Sequence, residues 1–322
     1  MSISRVCLGF TSYRMETLPY VRKKMQDFEC IVLEEPPTPG FNEMLEMEMG
    51  IQDYLSLTEF GFPGFAQEQC SLLRELHAKG KEILQIDPFL EELLSIHEFF
   101  AAGRTPQEIR EGTTTREVYE CERVWTAKLL SFYKTTSTDN DFYQVVGAVQ
   151  DFARADAQKT RMRDEMRSQG LRRVLGSYSD LYVEAGYIHF VLLRDVYRLL
   201  PAGGQLETFF SLQSYFRSRI NRRQLLGPGD VLTLLYTWIP DYSGPKADLL
   251  AAQSLIYNKV VQKEEIQEHP EDFPHSRDEL QAINLARSLD FNQCAELYTR
   301  IRGLPTDQAQ EMAREWVRST RQ

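Results

Sequence analysis

The stretch DLYVEAGYIH, residues 180–189, joins a run of β-forming residues to a glycine and a histidine. Residues 180–186 predict a buried strand, and the pattern HFVLLRDVYRLL predicts a helix that follows it directly. A buried strand that leads straight into a helix is typical of a parallel sheet covered by helices. We therefore interpret the chain as an α/β protein.

Four further segments have the same strand character: ISRVCLGF (3–10), FECIVLEEP (28–36), KEILQID (81–87) and QLETFFSL (205–212). Helical patterns separate them, so we predict a mainly parallel central sheet flanked by helices. Residues 88–175 have an almost wholly helical pattern and predict a helical insert. The predicted domains are an α/β core over 1–210 and a helical C-terminal layer or subdomain over 211–322.

Composition narrows the classes of function. The 322 residues carry a net charge of −10, which disfavours nucleic acid and anionic membranes as partners. No run of about eighteen apolar residues occurs, and MSISRVCLGF lacks the features of a signal peptide. We therefore expect a cytoplasmic protein. The sequence is compatible with a homo-oligomer. Five widely spaced cysteines without a CxxC pair predict buried free thiols.

Polar residues follow the predicted strands where each strand ends. In open parallel sheets ligands bind outside the carboxyl ends of the strands, so these residues are the candidates for a functional site. No P-loop, GxGxxG, GxSxG or HExxH motif competes with them. The candidates at the strand ends are Ser12, Glu34, Glu35, Asp87, Tyr187 and His189.

Glu34 and Glu35 follow the apolar run Ile31–Leu33, and only one of the two can enter a given pocket, because successive strand side chains point to opposite faces. A desolvated carboxylate needs a cation, a metal ion or its own proton. The alternative is a helix cap or a salt-bridge partner. His189 has three interpretations: a metal ligand, a general base, or a residue hydrogen-bonded at a helix N-terminus.

Arginines precede the 180–186 strand on a long predicted helix. Arg163 and Arg167 share a face of that helix, and one arginine of this group is a candidate to bind an anionic substrate group. The alternative is a solvated basic stripe. Glu184, inside the predicted strand, faces an interior polar site unless its strand lies at a sheet edge.

Several segments together resemble the Tiki/TraB superfamily and its relatives of the erythromycin-esterase and ChaN type. They are VCLGFTS (6–12), IVLEEPP (31–37), the helix–strand unit FAQEQCSLLRELHAKGKEILQID (65–87), KTRMRDEM (159–166) and YVEAGYIH (182–189). The resemblance covers about the first two hundred residues. It implies an α/β fold with a site at the strand ends, in proteins that include metal-dependent peptidases, macrolide-lactone hydrolases and haem-binding proteins.

Such proteins carry two Gly-x-x-His motifs, a glutamate pair and an arginine. Gly186–His189, Glu34–Glu35 and Arg163 match the late motif, the pair and the arginine. The early motif differs from the Gly-x-x-His pattern, because Ser12 stands where histidine is expected. Serine is a poor metal ligand compared with imidazole, so this difference argues against metal binding.

We expect a hydrolase-like protein acting on a small molecule or peptide, with Glu34, Glu35, His189 and Arg163 as catalytic residues. Ser12, Asp87 and Tyr187 are the expected substrate-binding residues. In one mechanism Glu35 and His189 hold a divalent metal ion. In another, without metal, Glu35 is the general base, His189 its acid partner, and an arginine stabilises the oxyanion.

Two alternatives belong to other classes of function. One is a non-catalytic protein that binds a small molecule or a cofactor such as haem or a metal ion, with the first Gly-x-x-His histidine lost. The other is an interaction protein whose helical tail, with amphipathic stretches such as 247–261, supplies a partner surface; core packing is the simpler reading of such a stretch.

Overall fold

A computed structural model describes residues 5–57, 61–137 and 141–320. Its sheet has five parallel strands in the order β3-β2-β4-β1-β5. The predicted α/β class and all five predicted strands are confirmed. The strands are β1 (Arg5–Thr11), β2 (Cys30–Leu33), β3 (Glu82–Gln85), β4 (Asp180–Gly186) and β5 (Gln205–Phe210).

Helices account for most of the rest of the described chain. This agrees with the predicted helical insert and the predicted helical C-terminal region. Short 3₁₀ helices cover Met15–Thr17, Pro106–Glu108 and Pro270–Asp272. The α-helices are α1 (Leu18–Met25), α2 (Phe41–Leu45), α3 (Ile51–Leu55), α4 (Pro63–Ala78), α5 (Pro88–Ala101), α6 (Thr114–Ser137), α7 (Phe142–Leu171), α8 (Phe190–Leu199), α9 (Gln213–Ile220), α10 (Pro228–Trp238), α11 (Pro245–Val260), α12 (Pro274–Arg287), α13 (Phe291–Ile301) and α14 (Thr306–Thr320).

Alternation along the strands sends side chains into two separate apolar cores, one on each face of the sheet. Ile31, Leu33 and Tyr182 belong to the core that also contains residues of α1 and α4. Val32 and Val183, each one position along, belong to the core that contains residues of α8 and the end of α7. These two cores bury β1, β2 and β4 almost completely, as their apolar runs predict, whereas the edge strands β3 and β5 are partly exposed.

Parallel alignment brings the carboxyl ends of β1, β2, β3 and β4 to one edge of the sheet. Thr11 pairs with Gly186, Val32 with Val183, and Leu33 with Gln85. β4 is a central strand, so its buried Glu184 lies inside the sheet. The residues that follow these strands are therefore neighbours although they are far apart in sequence.

The chain divides into two compact units, one made of Met1–Tyr119 with Arg161–Gln224 and one made of Glu120–Thr160 with Leu225–Gln322. This division differs from the predicted boundary at residues 210–211, because the long helix α7 contributes Val145 to one core and Leu171 to another. The second unit is helical, and its core is rich in small side chains such as Ala251 and Ala286.

Two further expectations concern the whole described chain. All five cysteines are buried and free, as predicted. Within residues 5–57, 61–137 and 141–320, no helix is both long and apolar enough to cross a membrane.

Candidate functional site

Glu34 is the centre of a buried cluster of charged side chains at the carboxyl edge of the sheet. It directly follows β2 and is only 4% exposed. Its Oε2 accepts a hydrogen bond of 2.6 Å from the backbone N–H of Gly186, at the end of β4. Its Oε1 lies 2.9 Å from Nε2 of His189 and 3.1 Å from Nη2 of Arg163. Two strand ends and two helices thus converge on one carboxylate.

His189 lies between two carboxylates. Its Nε2 contacts Glu34 and its Nδ1 makes a short hydrogen bond with Oδ1 of Asp164, on α7. Oδ2 of Asp164 also accepts a 3.0 Å hydrogen bond from the backbone N–H of Leu192, in the first turn of α8. Both ring nitrogens are therefore occupied, and the imidazole is fixed in orientation.

Burial and neighbouring charges shift the pKa values of His189 and Glu34 in opposite directions. Burial alone would lower the pKa of His189, but Glu34 and Asp164 raise it to about 9. Burial alone would raise the pKa of Glu34, but His189, Arg167 and Arg163 hold it well below its usual range. At neutral pH the two groups form an imidazolium–carboxylate ion pair.

Two arginines of α7 complete the cluster. Arg163 donates from Nε to Oδ2 of Asp87 at 2.7 Å, and its Nη2 lies 2.6 Å from the same oxygen. Asp87 is fully buried and also caps α5 by accepting from Leu90 N–H at 3.2 Å. Among the described residues, the contacts of Arg163 with carboxylates use Nε and Nη2, and its side chain keeps 20% exposure.

Arg167 is fully buried and connects three strands. It donates from Nε to the carbonyl oxygen of Ile86 at 3.0 Å, and from Nη2 to those of Glu184 at 2.9 Å and Leu33 at 3.4 Å. Its Nη1 lies 3.6 Å from Oε2 of Glu34. The reading of these arginines as a solvated stripe is wrong for Arg167.

Charges balance within this cluster. Three carboxyl side chains, Glu34, Asp87 and Asp164, face three cationic side chains, Arg163, Arg167 and protonated His189. Buried charges are tolerated when they are paired and hydrogen-bonded, and this arrangement meets that condition. We call these six residues the charged cluster.

The carboxyl groups of Glu35 and Glu184 lie outside the charged cluster, and no cation forms an ion pair with them among the described residues. Oε2 of Glu35 accepts a 3.1 Å hydrogen bond from Nε2 of Gln85, which also donates to Oγ1 of Thr38 at 2.9 Å. Burial, with a smaller opposing effect of Gln85, raises the pKa of Glu35. Burial, together with the charges of Glu35 and Glu34, raises the pKa of Glu184 to about 8.

A cleft of about 170 Å³ opens beside Glu35. Tyr13, which follows β1, forms one side of it, and its ring meets that of Phe65 edge-on at 5.6 Å between centroids. The remaining lining residues come from the start of α4 and the segment before it: Gly61, Phe62, Ala66 and Gln69. The cleft thus combines aromatic walls with one carboxyl group.

The structure brings Glu34, His189, Arg163 and Asp87 together, and separates the other predicted site residues from them. Glu35 contacts Gln85 instead. Ser12 accepts through its backbone oxygen from Oγ1 of Thr17 at 3.1 Å, and the Tyr187 hydroxyl lies 3.4 Å from Oγ of Ser211. Substrate binding by Ser12, Asp87 and Tyr187 stays a prediction.

The residues that the resemblance assigns to a metal ion do not fit such a site in the described part of the chain. No group of three or more His, Cys, Asp or Glu side chains there is arranged to hold a metal ion. Both nitrogens of His189 are engaged by Glu34 and Asp164, whereas Glu35 contacts Gln85. The pairing of Glu35 with His189 as ligands gains no support from these contacts.

Sequence reasoning did not identify Asp164 as a site residue, and it left Arg167 and Glu184 outside the proposed catalytic set. One signal was available on α7, where Asp164, Arg167, Ser168 and Leu171 follow the spacing of a buried helix face. Polar residues at core-facing positions indicate a buried polar partner, since an unpaired one is costly.

Comparison with known proteins adds little to this geometry. An uncharacterized protein of Archaeoglobus fulgidus is 27% identical over 292 residues, which cover 90% of this chain and 97% of that protein. No protein-family model matches the chain. No solved structure matches it either. The chain is therefore similar over nearly its whole length to this archaeal protein, and the geometry of the strand-end residues carries the functional argument.

Proposed function

We propose that the chain is a hydrolase-like enzyme that cleaves small esters or amides by general-base catalysis at the carboxyl end of β2. The observation that supports this most is the contrast between Glu34 and Glu35. Glu34 is compensated by His189 and Arg163, whereas the adjacent Glu35 has no cation contact among the described residues and lines a cleft. Neighbouring carboxyls whose pKa values are shifted in opposite directions are typical of acid–base sites.

Glu35 has the properties of a general base. Its carboxyl group is oriented by the hydrogen bond from Gln85 and is in contact with the cleft. Its pKa is raised by burial, which increases the affinity of its carboxylate for the proton of an attacking water. The base and the residue that orients it are therefore both provided by strand ends of the rigid sheet.

In the proposed reaction, Glu35 takes a proton from water while the water oxygen attacks the carbonyl carbon. The π electrons of the carbonyl move to its oxygen, which becomes an oxyanion. When the carbonyl re-forms, the bond to the leaving oxygen or nitrogen breaks, and Glu35 returns the proton to that leaving group. The products are a carboxylic acid and an alcohol or amine, and the enzyme regains its starting state.

The charged cluster positions this machinery. Arg167 joins the ends of β2, β3 and β4 through backbone carbonyls, and Glu34 ties β2 to Gly186 of β4. His189 acts through Glu34, because its ring is held between Glu34 and Asp164 and is 5% exposed. Arg163, the more exposed arginine, supplies positive charge close to Tyr13 at the cleft.

Substitution of Glu35 by glutamine tests the proposal, because it keeps the shape and removes the base. With a panel of p-nitrophenyl esters, anilides and short peptides, we expect Glu35→Gln to lower kcat by about 10²-fold to 10⁴-fold. Glu82→Gln, the same change at an exposed position of β3, is the matched control and keeps full activity. Absence of hydrolysis by the wild-type protein, or an unchanged kcat in Glu35→Gln, would contradict the proposal.

The metal-dependent mechanism and the binding-protein alternative make different predictions for the same samples. Full activity in EDTA supports the metal-free mechanism, whereas loss that Mn²⁺ or Zn²⁺ restores supports the metal mechanism. Tight binding of haem or a metal ion, together with no hydrolysis, supports the non-catalytic alternative. The cleft of about 170 Å³ is smaller than the roughly 300 to 1,000 Å³ of ordinary ligand pockets, which favours a small substrate.

A further inference from the structure

Gln69 is a polar residue on the buried face of α4. Other buried residues of this face are Phe65, Leu72 and Leu76. Together with Gln69 they follow one another at spacings of four, three and four residues, as on the core-facing side of an amphipathic helix. Glutamine is mostly exposed in folded proteins, so a glutamine within this apolar row needs a physical explanation.

The carboxamide of Gln69 has no hydrogen-bond partner among the described residues. Gln69 is only 8% exposed, and it lines the cleft of about 170 Å³ beside Glu35. Gln67, on the exposed side of the same helix, accepts a 2.9 Å hydrogen bond from Nε2 of Gln52. Burial of an unpaired amide costs free energy. The donors and the acceptor of the Gln69 carboxamide are therefore available to a ligand in the cleft.

The size and the walls of the cleft limit what this ligand is. The rings of Tyr13 and Phe65 meet edge-on at 5.6 Å between centroids, and Phe62 also lines the cleft. A protein cavity of about 150 Å³ with apolar walls is known to hold one benzene molecule. Aromatic walls favour an aromatic ligand beyond the area that it buries. The cleft of about 170 Å³ thus suits a single six-membered aromatic ring with a small polar group attached.

The charge of the lining residues favours an uncharged ligand. The described residues that line the cleft include one carboxyl group, that of Glu35, and no lysine, arginine or histidine. An anionic ligand would meet no cation in this lining and would be repelled by the carboxylate of Glu35. Glu35 lies at the end of β2 and Gln69 lies on α4, so a carbonyl group in the cleft is exposed to groups from two different elements.

We propose that the substrate is an uncharged ester or amide of a single-ring aromatic carboxylic acid, and that the side-chain N–H of Gln69 donates a hydrogen bond to its carbonyl oxygen. The inference rests on the proposed function and names the substrate class of the same site. The ring packs against Tyr13 and Phe65, while Glu35 activates the water. The hydrogen bond from Gln69 becomes stronger as negative charge develops on the carbonyl oxygen, so it favours the transition state.

Acetophenone tests the ring and the carbonyl group without any reaction, because it has both but no bond that hydrolysis cleaves. Cyclohexyl methyl ketone is the matched ligand, with a similar size and no aromatic ring. Ligand-observed NMR titration of the wild-type protein measures both dissociation constants. We expect acetophenone to bind about 2-fold to 10-fold more tightly than the cyclohexyl ketone. No binding of acetophenone, or equal affinity for the two ketones, would overturn the inference.

Gln69→Met tests the donor, because methionine keeps the length of the side chain and its helix propensity but cannot donate. We expect it to bind acetophenone about 3-fold to 10-fold more weakly and to hydrolyse methyl benzoate with a kcat about 10²-fold lower. Its Tm stays equal or rises by about 2 °C, since the lost carboxamide has no protein partner among the described residues. A clear fall in Tm would indicate a structural role and would contradict the inference.

Gln67→Met is the matched control, the same change at an exposed position of the same helix. We expect it to keep wild-type affinity for acetophenone and wild-type kcat. If Glu35→Gln abolishes hydrolysis but Gln69→Met keeps full kcat and full affinity for acetophenone, the inference fails and the proposed function stands. If acetophenone binds in a manner that depends on Gln69 but no ester or amide is hydrolysed, the ligand class is supported and the proposed function fails.

Discussion

At the carboxyl edge of the sheet, buried carboxyl groups on the two faces have pKa values shifted in opposite directions. On the face of α7 and α8, Glu34 is surrounded by cations and hydrogen-bond donors and is ionised. On the other face, no cation forms an ion pair with the carboxyl group of Glu35 or Glu184 among the described residues, and burial raises the pKa of both groups. The difference shows that neighbouring tertiary contacts, and not residue type, decide the protonation state of each acid.

The largest expected effect is on the free energy of unfolding, when Arg167 is removed from the face on which Glu34 is paired with cations. Arg167→Met removes three hydrogen bonds to strand carbonyls and leaves Glu34 less compensated in a buried position. We expect the free energy of unfolding to fall by about 3 to 5 kcal/mol, measured by urea denaturation. Arg172→Met, at an exposed position just after α7, should change it by less than about 0.5 kcal/mol. A loss below about 1 kcal/mol for Arg167→Met would show that the cluster is not stabilising.

An intermediate effect is expected on the pH dependence of stability, through Glu184 on the opposite face, where its carboxyl group has no ion-pair partner among the described residues. In the folded protein Glu184 keeps its proton up to about pH 8, whereas its ordinary pKa is 4.5. The unfolded chain therefore binds fewer protons between these values, and the free energy of unfolding falls as pH rises from 4.5 to about 8. Glu184→Gln removes this loss and should be more stable than wild type at pH 8 by about 4 kcal/mol.

Urea denaturation of both proteins from pH 4.5 to pH 8 measures the effect of Glu184→Gln. His189 has a pKa raised to about 9, so its stabilising contribution is complete below 6.5 and is lost as pH rises through 9. That loss is common to both proteins and cancels in the comparison. Parallel curves for wild type and variant would show that Glu184 is ionised in the folded protein.

The smallest expected effect is on the pKa of His189, and it distinguishes the adjacent residues Glu34 and Glu35. Glu34 is the strongest influence that raises the pKa of His189, whereas the carboxyl group of Glu35 contacts Gln85. We expect Glu34→Gln to lower the pKa of His189 by about 1 to 2 units, which is about 1.4 to 2.7 kcal/mol, in an NMR titration of the imidazole. Glu35→Gln should leave it unchanged, and an equal shift in both variants would remove the contrast between the two faces.

Much of the fold was predictable because its determinants are local. Strands β1 to β5 coincide with short runs of β-forming residues, and parallel pairing then brings their carboxyl ends together. Glu34, Asp87 and His189 were identified on this basis. Asp164 was not identified, and Arg167 was named only as one candidate arginine of an otherwise solvated stripe. A charged residue on a helix is usually exposed, and the burial of both residues depends on packing of α7 against distant strands.

The division into compact units was also beyond local reasoning. The sequence predicted a boundary near residue 210, but α9 belongs with the sheet and part of α7 belongs with the helical core. A long helix changes its neighbours along its length without any change in its own pattern. Contacts between segments far apart in sequence decide which core each turn joins.

The sequence by itself determined the strands, the α/β class and the presence of acids, arginine and histidine near strand ends, because β-propensity and apolar patterning act over a few residues. The tertiary structure decided which acid meets which cation. Glu34 is paired with Arg163, Arg167 and His189, more than a hundred residues away, whereas Glu35 is held by Gln85 and opens on the cleft. Charge states follow from desolvation and distance in space, and only folding sets these quantities.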